Sequence, residues 1–175
     1  MAIYVVGDTH NCIDIAKLSL RNFPESRKFT AEDYVIICGD FGFPLLSSDV
    51  LPESIKDSDR DIRSGRKTYL YWMNWLRQKP YTILFVDGNH DNPRYWNSLP
   101  AEQWCGGLVH RSPDAPNVIH LKRGRVLHHC RQDILGFRRR RAAGQGPLLP
   151  AIQPMAAGGA KQRRVCIWYQ NTGPA

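Results

Sequence analysis

The sequence predicts an α/β fold, and two observations support this prediction. Three short apolar, β-branched runs each lead to a glycine, a pattern typical of strands buried on both faces of a parallel sheet. Segments with helical periodicity separate the runs, as expected where helices connect parallel strands. The predicted strands are Ile3–Val6, Tyr34–Cys38 and Thr82–Val86.

The first connection is predicted to be a helix from Cys12 to about Asn22, which Pro24 ends. Its core face would be formed by Ile13, Ala16, Leu20 and Phe23. The second connection begins with a long polar loop, 43–65, which starts soon after Asp40. A loop of this length is usually functional or mobile, so it is either a cover over the residues near Asp40 or a variable surface excursion.

A second helix is predicted over Lys67–Gln78, ended by Pro80. Its apolar residues fall at helical spacing and are interpreted as core packing against the sheet: Tyr69, Trp72, Met73 and Leu76. Beyond residue 93 the chain is predicted to be irregular. Short strands are then predicted at 117–121, 125–127 and 133–137, which indicates a mixed sheet or two sheets.

Polar side chains follow each of the three predicted strands. They lie in Gly7–His10 (motif 1), Gly39–Gly42 (motif 2) and Gly88–Asp91 (motif 3). Ligands of α/β sheets gather at the carboxyl ends of strands, where these motifs would meet. Taken singly, a Gly-Asp after a strand is usually a turn with a helix-capping carboxylate, and Gly-Asn-His is also consistent with a tight turn and a satisfied histidine. As an ordered set, they predict a metal site.

The donor atoms in these motifs are carboxylate oxygen, imidazole nitrogen and amide oxygen. Such ligands suit Mn, Fe, Zn or Ni, and a carboxylate can bridge two ions. Two divalent ions together activate water and stabilise the leaving oxygen in phosphoester hydrolysis. A histidine beside the ions can protonate that leaving group.

The three motifs together resemble those of the calcineurin-like metallophosphoesterases, over residues 3–137. The resemblance implies a four-layer α/β/β/α sandwich with a dinuclear metal site between its two sheets. It implies that Asp8 and His10 hold the first metal and that Asp40 bridges both. Asn89 would bind the second metal and, with His90, the substrate phosphate. His90 would be the catalytic proton donor, and Asp91 would orient it.

The resemblance stops short of the whole family pattern. A later single histidine and a Gly-His-x-His motif complete the family's site, and the sequence contains neither. The remaining candidates, His110, His120, His128 and His129, fall on segments that resemble the linking strands. The resemblance therefore implies an α/β sandwich incomplete at its C-terminus, with a second metal site that lacks ligands.

Residues 138–175 differ in composition from residues 1–137, which are predicted to be the metallophosphoesterase-like domain. The tail begins with Arg138–Arg141, contains seven basic residues and has no acidic ones. The chain's net charge of +8 falls to +1 without it. Two interpretations are a disordered basic tail and an arginine-rich arm that binds nucleic acid.

A third interpretation is a shift of reading frame near Phe137. Codons for Ala142–Leu149, shifted forward by one base, can read Gln-Gln-Asp-Lys-Ala-His-Cys. Those for Ala151–Met155 can likewise read Gln-Tyr-Asn-Gln-Trp, and the following codons can supply Glu-Glu. A subset of the family carries Asp-Lys-Ala and then a Trp followed closely by Glu-Glu at this place. We therefore expect the tail to be an out-of-frame translation and the chain to be a truncated phosphoesterase.

Composition adds weaker expectations. The odd number of cysteines, five, without a CxxC pair favours a reducing, cytoplasmic location. No apolar run approaches a membrane span. The predicted function is hydrolysis of a phosphoester substrate, as by a phosphatase or phosphodiesterase, impaired by the missing ligands. The alternatives are an interaction module without activity and a nucleic-acid-binding protein. Substrate, metal identity and oligomeric state are not predicted.

Overall fold

The computed structural model describes residues 1–46, 50, 60–122, 126–129, 132–139, 153–154 and 163–170, with side chains in 1–46, 50 and 64–122. Helix α1 spans Arg60–Arg77 and α2 spans Pro93–Ser98, and single 3-10 turns lie at Ile15–Leu18 and Pro24–Lys28. The described strands are β1 Ile3–Val6, β2 Tyr34–Cys38, β3 Thr82–Val86, β4 Ala101–Trp104, β5 Gly107–Arg111, β6 Val118–Leu121, β7 Val126–His129, β8 Gln132–Arg139, β9 Gln153–Pro154 and β10 Arg163–Gln170.

The main sheet is mixed and has the strand order β4-β5-β6-β3-β2-β1-β9. Its centre is parallel: β1 pairs with β2, β2 with β3, and β3 with β6. Strands β4, β5 and β9 join antiparallel at the edges. The first three strands have the predicted bounds, and the predicted α/β class is confirmed.

Alternation along the central strands builds a core on each face of this sheet. In β2, Val35 and Ile37 belong to one buried cluster, and Ile36 and Cys38 belong to the other. Helix α1 covers the first face by burying Tyr69, Met73 and Leu76, as predicted, while Trp72 packs half-buried at its margin.

A second sheet has the order β10-β8-β7. Strands β8 and β10 run parallel over eight residues each, and β7 pairs antiparallel with β8. The backbones of β10 and β8 approach β2 and β3, and β7 approaches β5. The prediction left open one mixed sheet or two sheets, and the structure has two. Among the described residues no second helical layer follows β8.

The segment after motif 1 differs from the prediction. It forms turns and one 3-10 turn instead of a helix over residues 12–22. Of the predicted core face, Phe23 is buried as expected, whereas Ile13 is 77% exposed and Leu20 is 49% exposed. Within residues 12–22 the buried side chains are Ile15 and Leu18. The 3-10 turn brings Ile15 and Leu18, three residues apart, onto one face, and the helical periodicity assumed in the prediction was therefore wrong.

Three further features differ from the prediction. Helix α1 begins at Arg60, earlier than predicted, so the loop after Asp40 ends sooner; of that loop, residues 47–49 and 51–59 lie outside the described part. Helix α2 and the β4–β5 hairpin occupy the stretch predicted to be irregular. The hairpin turns at Cys105 and Gly106, which both have positive φ, the backbone that a two-residue turn between strands requires.

The later strands agree with prediction in order and approximate position. Within the tail, the described residues are Arg138–Arg139 at the end of β8 and strands β9 and β10. The remainder of 138–175 lies outside the described residues, so the domain boundary and the frame hypothesis stay predictions. None of the described helices has the length and apolar character needed to cross a membrane.

Candidate metal centre

The topology brings the three motifs to one edge of the main sheet. Strands β1, β2 and β3 are parallel neighbours, with Val6 opposite Ile37 and Cys38 opposite Val86. Because the strands end at nearly the same level, the chain leaves them side by side. Motifs 1, 2 and 3 therefore start from adjacent positions, as the sequence predicted.

Backbone hydrogen bonds join motif 1 to motif 2. The amides of Thr9 and His10 both donate to the carbonyl oxygen of Asp40, at 3.1 and 2.7 Å, and the Asn11 amide donates to the Phe41 carbonyl at 3.1 Å. His10 (φ 42°), Asn11 (φ 60°) and Asp40 (φ 41°) have left-handed backbone. Non-glycine residues in this region are concentrated at functional sites, where surrounding contacts hold them.

Motif 3 packs against motif 2 with little space between them. The His90 amide donates to Oδ1 of Asp40 at 2.9 Å. A Cβ atom added to Gly88 would overlap the Asp40 carboxylate and lie 2.5 Å from the Asp40 nitrogen. Only glycine permits this approach, which accounts for the residue that opens motif 3.

The side chains of His10, Asp40 and His90 converge. Each offers one ligand atom, and the three atoms lie within 4.8 Å of one another. The rings of His10 and His90 meet edge to face at 5.2 Å. Nε2 of His10 is 3.9 Å from Oδ2 of Asp40 and 3.5 Å from Oδ2 of Asp8.

The carboxylates of this centre repel one another. Burial, and then the nearby Asp40, raise the pKa of Asp8 to about 6, although His10 and Lys17 partly oppose the rise. The Nζ of Lys17 donates to the Asp8 carbonyl at 2.9 Å and to the Asp14 carboxylate at 2.8 Å. A divalent cation would offset the repulsion between the two carboxylates. The donor set and its convergence fit a metal of the Mn, Fe, Zn or Ni type.

The other two predicted site residues have different surroundings. Asn89 is exposed next to His90 at the tip of motif 3. Asp91 is 8% exposed, and its carboxylate accepts hydrogen bonds from the backbone amides of Phe41, Gly42 and Gly88. Among the described hydrogen bonds of Asp91, none goes to the His90 ring that it was predicted to orient. Burial raises the pKa of Asp91, and the amides of Gly42 and Gly88 oppose that rise.

Sequence reasoning missed a second group next to motif 3. Asp87, 4% exposed, lies 3.2 Å from Nε2 of His120 on β6. The ring of His120 stacks on that of His110 at 5.6 Å, and Nδ1 of His110 lies 3.0 Å from the Leu99 carbonyl oxygen. A carboxylate directly before Gly88 was the available signal. His110 and His120 lie on linking strands, as predicted, while the side chains of His128 and His129 lie outside the described part.

A family profile and a curated relative match this chain. The profile of the calcineurin-like phosphoesterases matches residues 1–134. The chain belongs to this family. Among curated relatives, lariat debranching enzyme A of Xenopus laevis is 25% identical over 121 residues. That alignment covers 69% of this chain and 20% of the relative, so the chain spans about a fifth of the relative's length. No solved structure matches the chain significantly.

Family membership confirms the resemblance drawn from the three motifs. The match ends at residue 134, and the domain end at 137 stays a prediction. The family implies hydrolysis of phosphoesters with divalent metals. Of the predicted site residues, the structure brings His10, Asp40 and His90 together at the sheet edge.

Proposed function

We propose that this chain is a metal-dependent phosphoesterase whose metal site is held by Asp8, His10, Asp40 and Asn89. The observation that supports this most strongly is the convergence of His10, Asp40 and His90 within 4.8 Å at one sheet edge of a member of the family. When bound, divalent ions supply Lewis acidity toward the phosphoryl group and lower the pKa of water. The remaining steps depend on the protein's own side chains.

Each residue has a role in this proposal. Asp8 and His10 would hold a first ion, Asp40 would serve both ions, and Asn89 would contribute to the second. His90 and Asn89 lie exposed at the mouth of the centre, where they can contact the phosphate. His90, in its protonated form, would give its proton to the leaving oxygen as the ester bond breaks.

The second metal site is proposed to be incomplete. The family's later histidine and its Gly-His-x-His motif have no counterpart in the sequence. Because ligands of the second ion are missing, we expect one weakly held metal and little turnover. The coding DNA past the codon for Phe137 tests the explanation: a shifted frame that continues to these histidines supports it, and a shifted frame with early stops contradicts it.

The activity test uses the full chain with added manganese and a generic phosphodiester, bis(4-nitrophenyl) phosphate. We expect slow, manganese-dependent turnover that is lost in His10→Asn. His90→Asn should lower kcat more than it weakens manganese binding, because His90 is proposed to act on the leaving group. Turnover that is independent of metal would contradict the function, and turnover equal to that of a complete family member would contradict the impairment.

Two alternatives make different predictions. An interaction module would bind its partner equally well in chelator. An arginine-rich arm would bind nucleic acid with a steep salt dependence that disappears when 138–175 are removed. The relative named above also makes a lariat the second substrate to try, after the generic diester.

A further inference from the structure

The carboxylate of Asp91 lies between two motifs that are far apart in sequence. Oδ1 accepts from the Gly42 amide at 2.6 Å, and Oδ2 accepts from Gly88 at 2.6 Å and from Phe41 at 3.3 Å. Two of these bonds join motif 3 to motif 2 across 49 and 50 residues of chain. One buried side chain therefore holds the two motifs in register.

The backbone around Asp91 depends on this contact. Gly42 has φ +81°, and a Cβ there would overlap the Asn11 nitrogen, so motif 2 is also pressed against motif 1. Buried amides without an acceptor are costly, and Asp91 supplies the acceptor for three of them. The same arrangement sets the His90 amide on Oδ1 of Asp40, 2.9 Å away.

We propose that Asp91 is a positioning residue that locks motif 2 to motif 3 and so preforms the metal centre before any metal binds. This role differs from orienting the His90 ring. It depends on the proposed function only for what the metal does afterwards. The relative position of Asp40 and His90 is set in the metal-free protein by the Asp91 hydrogen bonds.

The chain contains a matched control. Asp33, 7% exposed, lies at the opposite end of β2 and also accepts from backbone amides, those of Ala2 at 2.6 Å and Thr30 at 2.8 Å. It is the same residue type with backbone amide donors of its own, and it is away from the three motifs. It also accepts from the Thr30 hydroxyl at 3.2 Å and lies 3.7 Å from the N-terminal ammonium. Replacing either aspartate by asparagine places an NH₂ group where an oxygen now accepts amide protons.

The experiment compares Asp91→Asn with Asp33→Asn. In metal-free protein, hydrogen exchange by NMR should become faster at Phe41, Gly42 and Gly88 in Asp91→Asn, and at Ala2 and Thr30 in Asp33→Asn. Both variants should lose thermal stability. Manganese affinity, measured by calorimetry, should fall about 10-fold or more in Asp91→Asn and less than twofold in Asp33→Asn.

Two results would overturn the proposal. One is unchanged exchange at the three amides in Asp91→Asn. The other is unchanged manganese affinity in Asp91→Asn although exchange at the three amides is faster. If the pH profile of turnover is then shifted as well, Asp91 acts by orienting the His90 ring instead. Failure of the proposed function looks different: native protein that binds manganese but hydrolyses nothing leaves the Asp91 result intact. If the native protein binds no manganese, the exchange of the three amides still decides whether Asp91 locks the motifs.

Discussion

Two pairs of histidines in this protein have similar contacts and opposite surroundings. His10 and His90 meet at 5.2 Å beside Asp8 and Asp40, and His110 and His120 meet at 5.6 Å beside Asp87. The first pair lies in loops at strand ends, where His90 is exposed and the His10 side chain is 33% exposed. The second pair lies within strands and is 2% exposed.

The backbone explains the difference between the pairs. His110 and His120 are opposite each other in the antiparallel β5–β6 pair, so their rings stack nearly in parallel inside the core. Each ring leaves one buried nitrogen without a hydrogen-bond partner, Nε2 of His110 and Nδ1 of His120. Burial lowers the pKa of His110, and a neutral ring with a bare acceptor nitrogen accounts for its Nε2. Histidines at strand ends remain available for ligands, whereas those within strands form part of the core.

The largest expected effect on metal binding comes from filling the space between Gly88 and Asp40, which lets motif 3 lie against motif 2 and His90 lie beside His10. Gly88→Ala places a Cβ against the Asp40 carboxylate, so motif 2 and motif 3 must move apart. We expect manganese binding, measured by calorimetry, to weaken by about 100-fold.

Gly7→Ala is the matched control for that substitution. A Cβ on Gly7 meets no atom within 4 Å, and the change should alter the free energy of unfolding by less than about 0.5 kcal/mol. Equal manganese affinity in the two alanine variants would contradict the close approach of the motifs.

The next effect distinguishes the two pairs directly. His120→Ala removes a fully buried ring and leaves Asp87 without its imidazole, so the free energy of unfolding should fall by about 2–4 kcal/mol. His10→Ala removes a partly exposed ring and should lower it by less than about 1 kcal/mol.

Metal binding should show the reverse order. We expect His10→Ala to weaken manganese binding by about 10-fold or more, and we expect folded His120→Ala to retain it within a few fold. Urea unfolding and manganese titration of both variants measure the two effects. A His120 variant that loses metal and keeps its stability would show that the buried pair belongs to the centre.

A smaller effect concerns the charge of the strand-end region. The pKa of Asp8 is raised from 3.8 to about 6, so the folded state binds its proton more tightly than the unfolded state does. The stabilisation this gives is full below pH 3.8 and is lost as the pH rises through 6. A shift of this size corresponds to at most about 3 kcal/mol.

Asp8→Asn removes this dependence. In the presence of chelator, the variant should gain stability relative to the native chain between pH 4.5 and 7.5, as measured by urea unfolding. Added manganese should abolish the difference in unfolding free energy between the native chain and Asp8→Asn at pH 7.5. An identical pH dependence in both proteins would contradict the repulsion at the centre.

The sequence predicted the central strands and the motif residues well because both signals are local. Buried parallel strands are continuous apolar runs, and the chemistry follows at their ends. Other predictions were wrong because packing in the folded chain decides them. Ile15 and Leu18, instead of Ile13 and Leu20, face the core because the segment forms a 3-10 turn and not a helix. The polar strand β4 exists only as the partner of β5. The contacts of Asp91 with Phe41 and Gly42 cross about 50 residues, so no local pattern reveals them.

The most direct test of the account is a manganese titration of the full chain and of Asp40→Asn by isothermal calorimetry. Asp40 joins all three motifs through its backbone carbonyl and its carboxylate. The account predicts saturable binding to the native chain, close to one ion per chain, weakened more than about 10-fold by Asp40→Asn. Native protein that binds no manganese, or equal affinity in the two proteins, would contradict a metal centre at these strand ends.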